Sequence, residues 1–267
     1  MENLTISLVQ TALFWEQPEK NRRHFEGLIR SIDRTDLIIL PEMFTTGFSM
    51  KSKELAETMD GETISWLSKM VKSKRFAICG SLIIEENGNY FNRLIWMKPD
   101  GTCQFYDKRH LFRMADENSF FSAGQSKLIV ELKGWKICPL ICYDLRFPVW
   151  SRNKYKKDNE SALEATYDLL IYIANWPEAR VKAWEKLLFA RSIENQCYLA
   201  AVNRIGNDGK EISYSGSSML LDPKGVIVDK AKIHSEEIVT ATLNKKELID
   251  FRAKFPVGLD GDQFEIS

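Results

Sequence analysis

Three residues in this chain carry chemistry that becomes coherent if a fold brings them together: Glu42, Lys108 and Cys142. Cys142 ends an apolar run, Trp135-Lys-Ile-Cys-Pro-Leu-Ile-Cys142, and is followed by Tyr143, Asp144, Leu145, Arg146, Phe147 and Pro148. That pattern reads as a buried strand delivering one thiol to a sharp turn, and a strand end holds a nucleophile rigidly. A cysteine attacks an acyl or nitrile carbon as thiolate, so a carboxylate has to accept its proton. The tetrahedral intermediate then carries an oxyanion, which a fixed ammonium and a backbone N–H stabilise, each donor by a factor of about 10²–10³. The protonated carboxylate hands its proton to the leaving amine and later activates water. Separations of 66 and 34 residues mean that no local motif joins the three. Each has a plainer reading. Buried cysteines are more often packing residues, a glutamate after a strand-end proline usually lies at the surface, and a lysine in Asp107-Lys-Arg-His110 is usually a solvated charge.

The elements that must position them follow from the patterning. Leu4 to Val9 alternates apolar and polar, the mark of a half-buried strand. After Pro18, Phe25, Leu28, Ile29 and Ile32 share one helical face. Asp36-Leu-Ile-Ile-Leu-Pro-Glu42 is a short continuous apolar run, as in a strand buried on both faces, and it ends at Glu42 before a loop-like stretch. Asp60 is the expected N-cap of a helix carrying Ile64, Leu67, Met70 and Val71. Strands are expected over Phe76–Ile84 and Asn92–Met97, joined through Glu-Glu-Asn-Gly, with a return over Thr102–Tyr106 just before Lys108. Leu128–Leu132 and Trp135–Cys142 form the next pair, although Pro139 removes a ladder donor and favours an edge or a bulge. The polar stretch Lys154–Thr166 reads as a surface loop or short helix end. Asp168–Asn175 is a buried strand, Pro177–Asn195 a helix, and Cys197–Asn203, Ser217–Leu221, Val226–Val228 and Ile238–Leu243 are strands before a last helix, Lys245–Phe255. Strands and helices alternate without a linker or a repeat, which implies one α/β domain over residues 1–267.

Composition narrows the classes. Apolar residues make up 44% and charged residues 28%, and 37 basic side chains balance 37 acidic ones, so no nucleic-acid footprint is visible. Apolar runs such as Leu169–Asn175 are too short for a bilayer, and Met1-Glu-Asn-Leu has no signal-peptide character, so no membrane is expected as a partner. Five scattered cysteines with no CxxC spacing, and three histidines, assemble no zinc site. The expectation is a reduced, cytoplasmic chain with no metal and no cofactor, in which Cys79, Cys103, Cys138 and Cys197 are small packed residues.

Leu40-Pro-Glu42-Met-Phe, Tyr106-Asp-Lys108-Arg-His-Leu-Phe and Ile141-Cys142-Tyr-Asp-Leu-Arg-Phe-Pro occur in the order and spacing of the nitrilase, or carbon–nitrogen hydrolase, superfamily. The resemblance runs from the first strand to about residue 245. Within that superfamily, Lys108–Glu117, Cys142–Arg152 and Ala174-Asn-Trp-Pro are most similar to the bacterial omega-amidases. It implies a four-layer α-β-β-α sandwich, a homodimer, and hydrolysis of the terminal amide of 2-oxoglutaramate and 2-oxosuccinamate, small-molecule amides. It assigns Glu42 as general base, Lys108 as oxyanion stabiliser, Cys142 as nucleophile and Glu117 as the second glutamate that positions the substrate amide. The Tyr143 N–H would complete the oxyanion site, and a Cys142 thiolate flanked by Glu42 and Lys108 would alkylate faster than the other four cysteines. Trp176 and Phe48 would wall the pocket, core packing being the alternative for Trp176. Arg146 is a substrate-binding candidate or the partner of Asp144 in an ion pair shaping the turn. Arg113, Arg146 and Arg204 are candidates for the substrate carboxylate, while Arg191 and Glu194 either support the site or pair on their helix. Hydrolysis of N-carbamoyl amino acids or aliphatic amides, and a binding protein without turnover, remain as alternatives.

Overall fold

The computed structural model of the protein describes residues 2–157, 163–262, 264 and 265. Apolar runs become strands where alternate side chains find a core on each side. The chain opens with strand β1 (Leu4–Gln10), helix α1 (Pro18–Arg30), β2 (Leu37–Ile39), the short helix α2 (Ser52–Leu55) and α3 (Glu62–Lys74). Then come β3 (Ala77–Glu86), β4 (Asn89–Met97) and β5 (Cys103–Asp107). A one-turn helix α4 (Glu117–Phe120) leads to β6 (Val130–Leu132), β7 (Trp135–Ile141), α5 (Pro148–Ser151) and a small hairpin, β8 (Tyr155–Lys157) and β9 (Leu163–Ala165). The remainder is β10 (Leu169–Ala174), α6 (Val181–Glu194), β11 (Tyr198–Asn203), a hairpin of β12 (Ile205–Asn207) and β13 (Ser213–Ser215), β14 (Met219–Leu221), β15 (Ile227–Lys230), β16 (Glu237–Leu243) and α7 (Lys245–Lys254).

Two six-stranded sheets result, in the orders β16-β1-β2-β3-β4-β5 and β15-β14-β11-β10-β7-β6. Period-two alternation then sorts the side chains into layers. Leu4, Ile6 and Leu8 of β1, Leu37 and Ile39 of β2, and Leu94 and Trp96 of β4 join Trp135, Ile137 and Ile141 of β7 in the core between the sheets. Val9, Ile38, Ile78 and Ile95 point the other way, onto Phe25 and Ile29 of α1 and Leu67 and Val71 of α3. Trp184 and Leu188 of α6 and Leu248 of α7 cover the second sheet. This is the α-β-β-α sandwich that the resemblance implied. No described helix is long and apolar enough to cross a membrane.

Several local expectations change. β1 is buried almost throughout rather than half-buried, because β16 and β2 flank it and its Ser7 hydroxyl bonds Thr240 at 2.8 Å. Asp60 does not cap α3: the N-cap is Gly61, and Glu57 accepts from the Thr63 N–H at 2.7 Å. The described part of Lys154–Thr166 is the β8/β9 hairpin, not a loop or helix end, and residues 158–162 of it lie outside the described chain. Pro139 is tolerated because β6 pairs with β7 only from Trp135 to Ile137, leaving that side of β7 open at the proline. The two sheets also share one pattern. Taken from β16 and from β6, neighbours run antiparallel, parallel, parallel, antiparallel, antiparallel. This structural repeat left no trace of repetition in the residues.

Candidate active site

The parallel strands β1, β2 and β3 of one sheet and β7, β10 and β11 of the other form the middle of each sheet. Functional side chains gather just beyond strand ends, where the chain leaves the ladder and its polar groups become available. Glu42 follows β2, Cys142 follows β7, and Asn175 follows β10. The chain turns sharply at two of these ends: Cys142 has φ 44° and Met43, next to Glu42, has φ 43°. Left-handed backbone at a residue with a side chain is costly and persists only where the surroundings hold it.

Lys108 is placed by β5. Arg93 of β4 stands opposite Asp107 of β5 and forks onto its carboxylate at 2.6 and 2.9 Å, which pins the register. The Lys108 N–H then bonds the Asn92 carbonyl at 3.0 Å, and its own carbonyl accepts from Gly124 N–H at 2.9 Å. A Cβ at Gly124 would lie 2.1 Å from the Asp107 carbonyl oxygen, so this close approach requires glycine.

Fully buried, the Lys108 ammonium donates to Glu42 Oε1 at 2.8 Å and to both Glu117 oxygens at 3.0 and 2.9 Å. Burial alone would drive the ammonium to lose its proton; the two carboxylates outweigh that and keep it charged, raising its pKa. Asn92 Nδ2 bridges the same carboxylates, at 2.8 Å to Glu42 and 3.2 Å to Glu117. The second Glu42 oxygen accepts from the Asn175 N–H at 2.8 Å, while the Asn175 side chain donates to the Glu42 carbonyl at 2.6 Å. Glu117 also accepts from the Phe112 N–H at 2.6 Å. Burial, and then the charge of Glu42, raise the Glu117 pKa against the pull of Lys108.

Cys142 lies in this field, its sulfur 3.9 Å from the Asn175 carbonyl oxygen. Burial pushes the thiol well above its ordinary range, the Glu42 charge adds to this, and Lys108 opposes it. The sulfur thus stands in the opposed fields of Glu42 and Lys108. Asp144 locks the turn: it accepts from the Ile141 N–H at 3.1 Å, the Tyr106 hydroxyl at 2.7 Å and the His110 N–H at 3.0 Å. One carboxylate thus ties the Cys142 turn to the segment carrying Lys108.

A cavity of about 140 Å³ opens on Cys142, lined among others by Phe48, Tyr143, Arg146, Asn175, Trp176, Arg180 and Tyr214. Phe48 lies 5.1 Å from the Lys108 ammonium. Trp176 is a wall and also well packed: Asn203 holds its backbone from both sides at 2.8 and 3.0 Å. Glu42, Lys108, Glu117 and Cys142 are brought together, and Tyr143, Trp176, Phe48 and Arg146 surround the opening. Arg146 makes no ion pair with Asp144; its guanidinium lies 5.1 Å from the Trp176 ring, because Asp144 is turned inward to its own donors. Arg204 is buried elsewhere on backbone carbonyls of Ile205 and Asn207, and Arg113 is exposed without lining the cavity. Arg191 pairs with Glu194 at 3.0 Å and also bonds the Leu145 carbonyl of the Cys142 turn at 2.7 Å. Sequence reasoning missed Asn92 and Asn175. The available signal was an amide opening the apolar stretch of β4 and another in Ala174-Asn-Trp-Pro.

With this geometry in hand, comparison with known proteins gives the class. Residues 5–253 match the family described as carbon-nitrogen hydrolase, and the chain belongs to that family. It is 42% identical to the omega-amidase YafV of Escherichia coli K12 over 266 residues, covering 100% of both chains. A 2-oxoglutaramate amidase of Bacillus subtilis is 33% identical over 257 residues, 95% of each. The crystal structure of XC1258 from Xanthomonas campestris, a CN-hydrolase superfamily protein with an arsenic adduct in the active site, superimposes with a TM-score of 0.96 at 44% identity, 100% of both chains covered.

Proposed function

We propose that the chain is an omega-amidase that hydrolyses the terminal amide of 2-oxoglutaramate and 2-oxosuccinamate to the 2-oxo acid and ammonia. The observation that carries amide hydrolysis is the buried Lys108 ammonium, held by Glu42 and Glu117 beside a thiol on a strained turn. Full-length similarity to omega-amidases favours these substrates over N-carbamoyl or aliphatic amides, and over a protein without turnover.

In the reaction, the Cys142 sulfur forms a bond to the amide carbon as its proton passes to Glu42. The carbonyl oxygen becomes an oxyanion facing Lys108 and the Tyr143 N–H. When the C–N bond breaks, Glu42 returns the proton to the departing nitrogen and ammonia leaves a thioester. Glu42 next removes a proton from water, which attacks the thioester; the C–S bond breaks and the thiol is restored. Glu117 keeps Lys108 charged and offers an acceptor to the substrate amide N–H.

Ammonia release from 2-oxoglutaramate and 2-oxosuccinamate, against glutamine, an N-carbamoyl amino acid and a simple nitrile, tests the reading. The two oxo-amides are the expected substrates, and Cys142→Ala should abolish turnover; release from the carbamoyl compound alone overturns the substrate assignment. We further infer a homodimer in the cytoplasm. Five free cysteines support a reducing compartment, and activity recovered outside the cytoplasm on fractionation would overturn it. A dimer should make the melting temperature depend on protein concentration.

A further inference from the structure

Every oxygen that the Lys108 ammonium touches has a second donor. The ammonium offers three N–H groups. In the structure three carboxylate oxygens face them: Glu42 Oε1 at 2.8 Å, Glu117 Oε1 at 3.0 Å and Glu117 Oε2 at 2.9 Å. An oxyanion can take one of these N–H groups only if a carboxylate oxygen gives it up. A buried carboxylate oxygen stripped of its donor is costly, so the contact that yields needs a replacement already in place. The Phe112 N–H is that replacement for Glu117 Oε2, at 2.6 Å. Asn92 Nδ2 is the replacement for the other two, at 2.8 Å to Glu42 Oε1 and 3.2 Å to Glu117 Oε1.

Packing alone does not account for this amide. Asn92 stands in β4 opposite Ile83 of β3, fully buried, and its backbone carbonyl accepts the Lys108 N–H at 3.0 Å. Its side-chain Oδ1 has no hydrogen-bond partner among the described residues. A buried, orphaned acceptor destabilises a fold, whereas an apolar side chain of the same size leaves none. What the amide contributes is therefore its NH2 group, whose two protons match the two carboxylates. Resting on the thioester mechanism above, we propose that Asn92 is a positioning residue that frees one Lys108 N–H for the oxyanion. When the ammonium turns to the substrate, Asn92 keeps Glu42 Oε1 and Glu117 Oε1 hydrogen-bonded and in place. It touches no reacting atom itself. Without it, the ammonium is held on the two carboxylates.

The test uses the full chain and whichever amide the parent hydrolyses, with melting curves to establish that each variant folds. Asn92→Leu keeps the volume and removes the donor, so kcat should fall about 10–100-fold with KM held. Asn92→Ser keeps one hydroxyl donor and should recover part of the loss. Asn92→Asp keeps the shape but adds a third carboxylate to Glu42 and Glu117 around Lys108, beside Cys142. Burial and like charge favour its protonated form, which can donate again. Its kcat relative to the parent should therefore rise as pH falls, whereas a packing role leaves that ratio flat. Parent-like kcat in folded Asn92→Leu overturns the proposal. A flat ratio in Asn92→Asp overturns it too, and decides alone if the leucine variant does not fold. A parent silent on both oxo-amides but active on another amide overturns the substrate reading and leaves the Asn92 comparison intact.

Discussion

Two carboxylates and a thiol surround one ammonium in a space that burial strips of water, so the position of each proton depends on its neighbours. For Cys142 the sign is definite. Glu42 raises the thiol and Lys108 lowers it, so Glu42→Gln removes the raising charge and leaves the lowering one. Thiolate absorbance near 240 nm, read against a Cys142→Ala blank, should rise at lower pH in Glu42→Gln than in the parent, whose titration lies well above the ordinary thiol. Ammonia release should nevertheless be lost, because the variant gains thiolate and loses the group that, in the proposed mechanism, protonates the leaving nitrogen. An unmoved titration would separate Glu42 from the sulfur. Glu42, Lys108, Glu117 and Cys142 were legible as residues because each follows an apolar run or lies in a motif of known order. Asn92 and Asn175 were not, since an amide gains its role only from the two carboxylates it meets.

At the level of elements, the site depends on strand ends and on what anchors them. The strands were largely legible, since continuous apolar runs such as Leu169–Ala174 fill a layer between two cores. Hairpin turns were too: Asn87 and Gly88, and Lys133 and Gly134, take the positive φ that their residue types allow. The β8/β9 and β12/β13 hairpins were hidden, being short and polar, with no periodicity to announce them. The Asp144–Arg146 pairing failed for a related reason. Proximity in sequence cannot show that Asp144 turns inward to Tyr106 and His110. The anchor most exposed to test is Gly124. Gly124→Ala forces the backbone away from Asp107 and carries the Lys108 carbonyl with it, so kcat should fall about 10²-fold. Steady-state kinetics with a melting curve check this; unchanged kcat in a folded variant would show that the contact does not place Lys108.

Across the whole molecule, alternating α/β was evident from the residues but two stacked sheets were not. Period-two burial looks the same in any strand with a core on each side, and the layering came from the family resemblance. The core between the sheets takes side chains from both, so we propose that the chain unfolds as one unit. Scanning calorimetry should give a single transition whose midpoint rises with protein concentration if a dimer forms; two separated transitions would divide the sheets. The pairing of β1 with β16 carries a different consequence. Leu4 and its partner Leu243 stand 239 positions apart, a stretch that takes about 12–48 s to translate at 5–20 residues per second. β1 reaches β2 early, through Ile6 and Leu37, and then waits with its other edge and its Ile6 and Leu8 side chains uncovered. During synthesis that open edge is where a ribosome-bound chaperone has the most to protect, and where a neighbouring nascent chain has the most to capture.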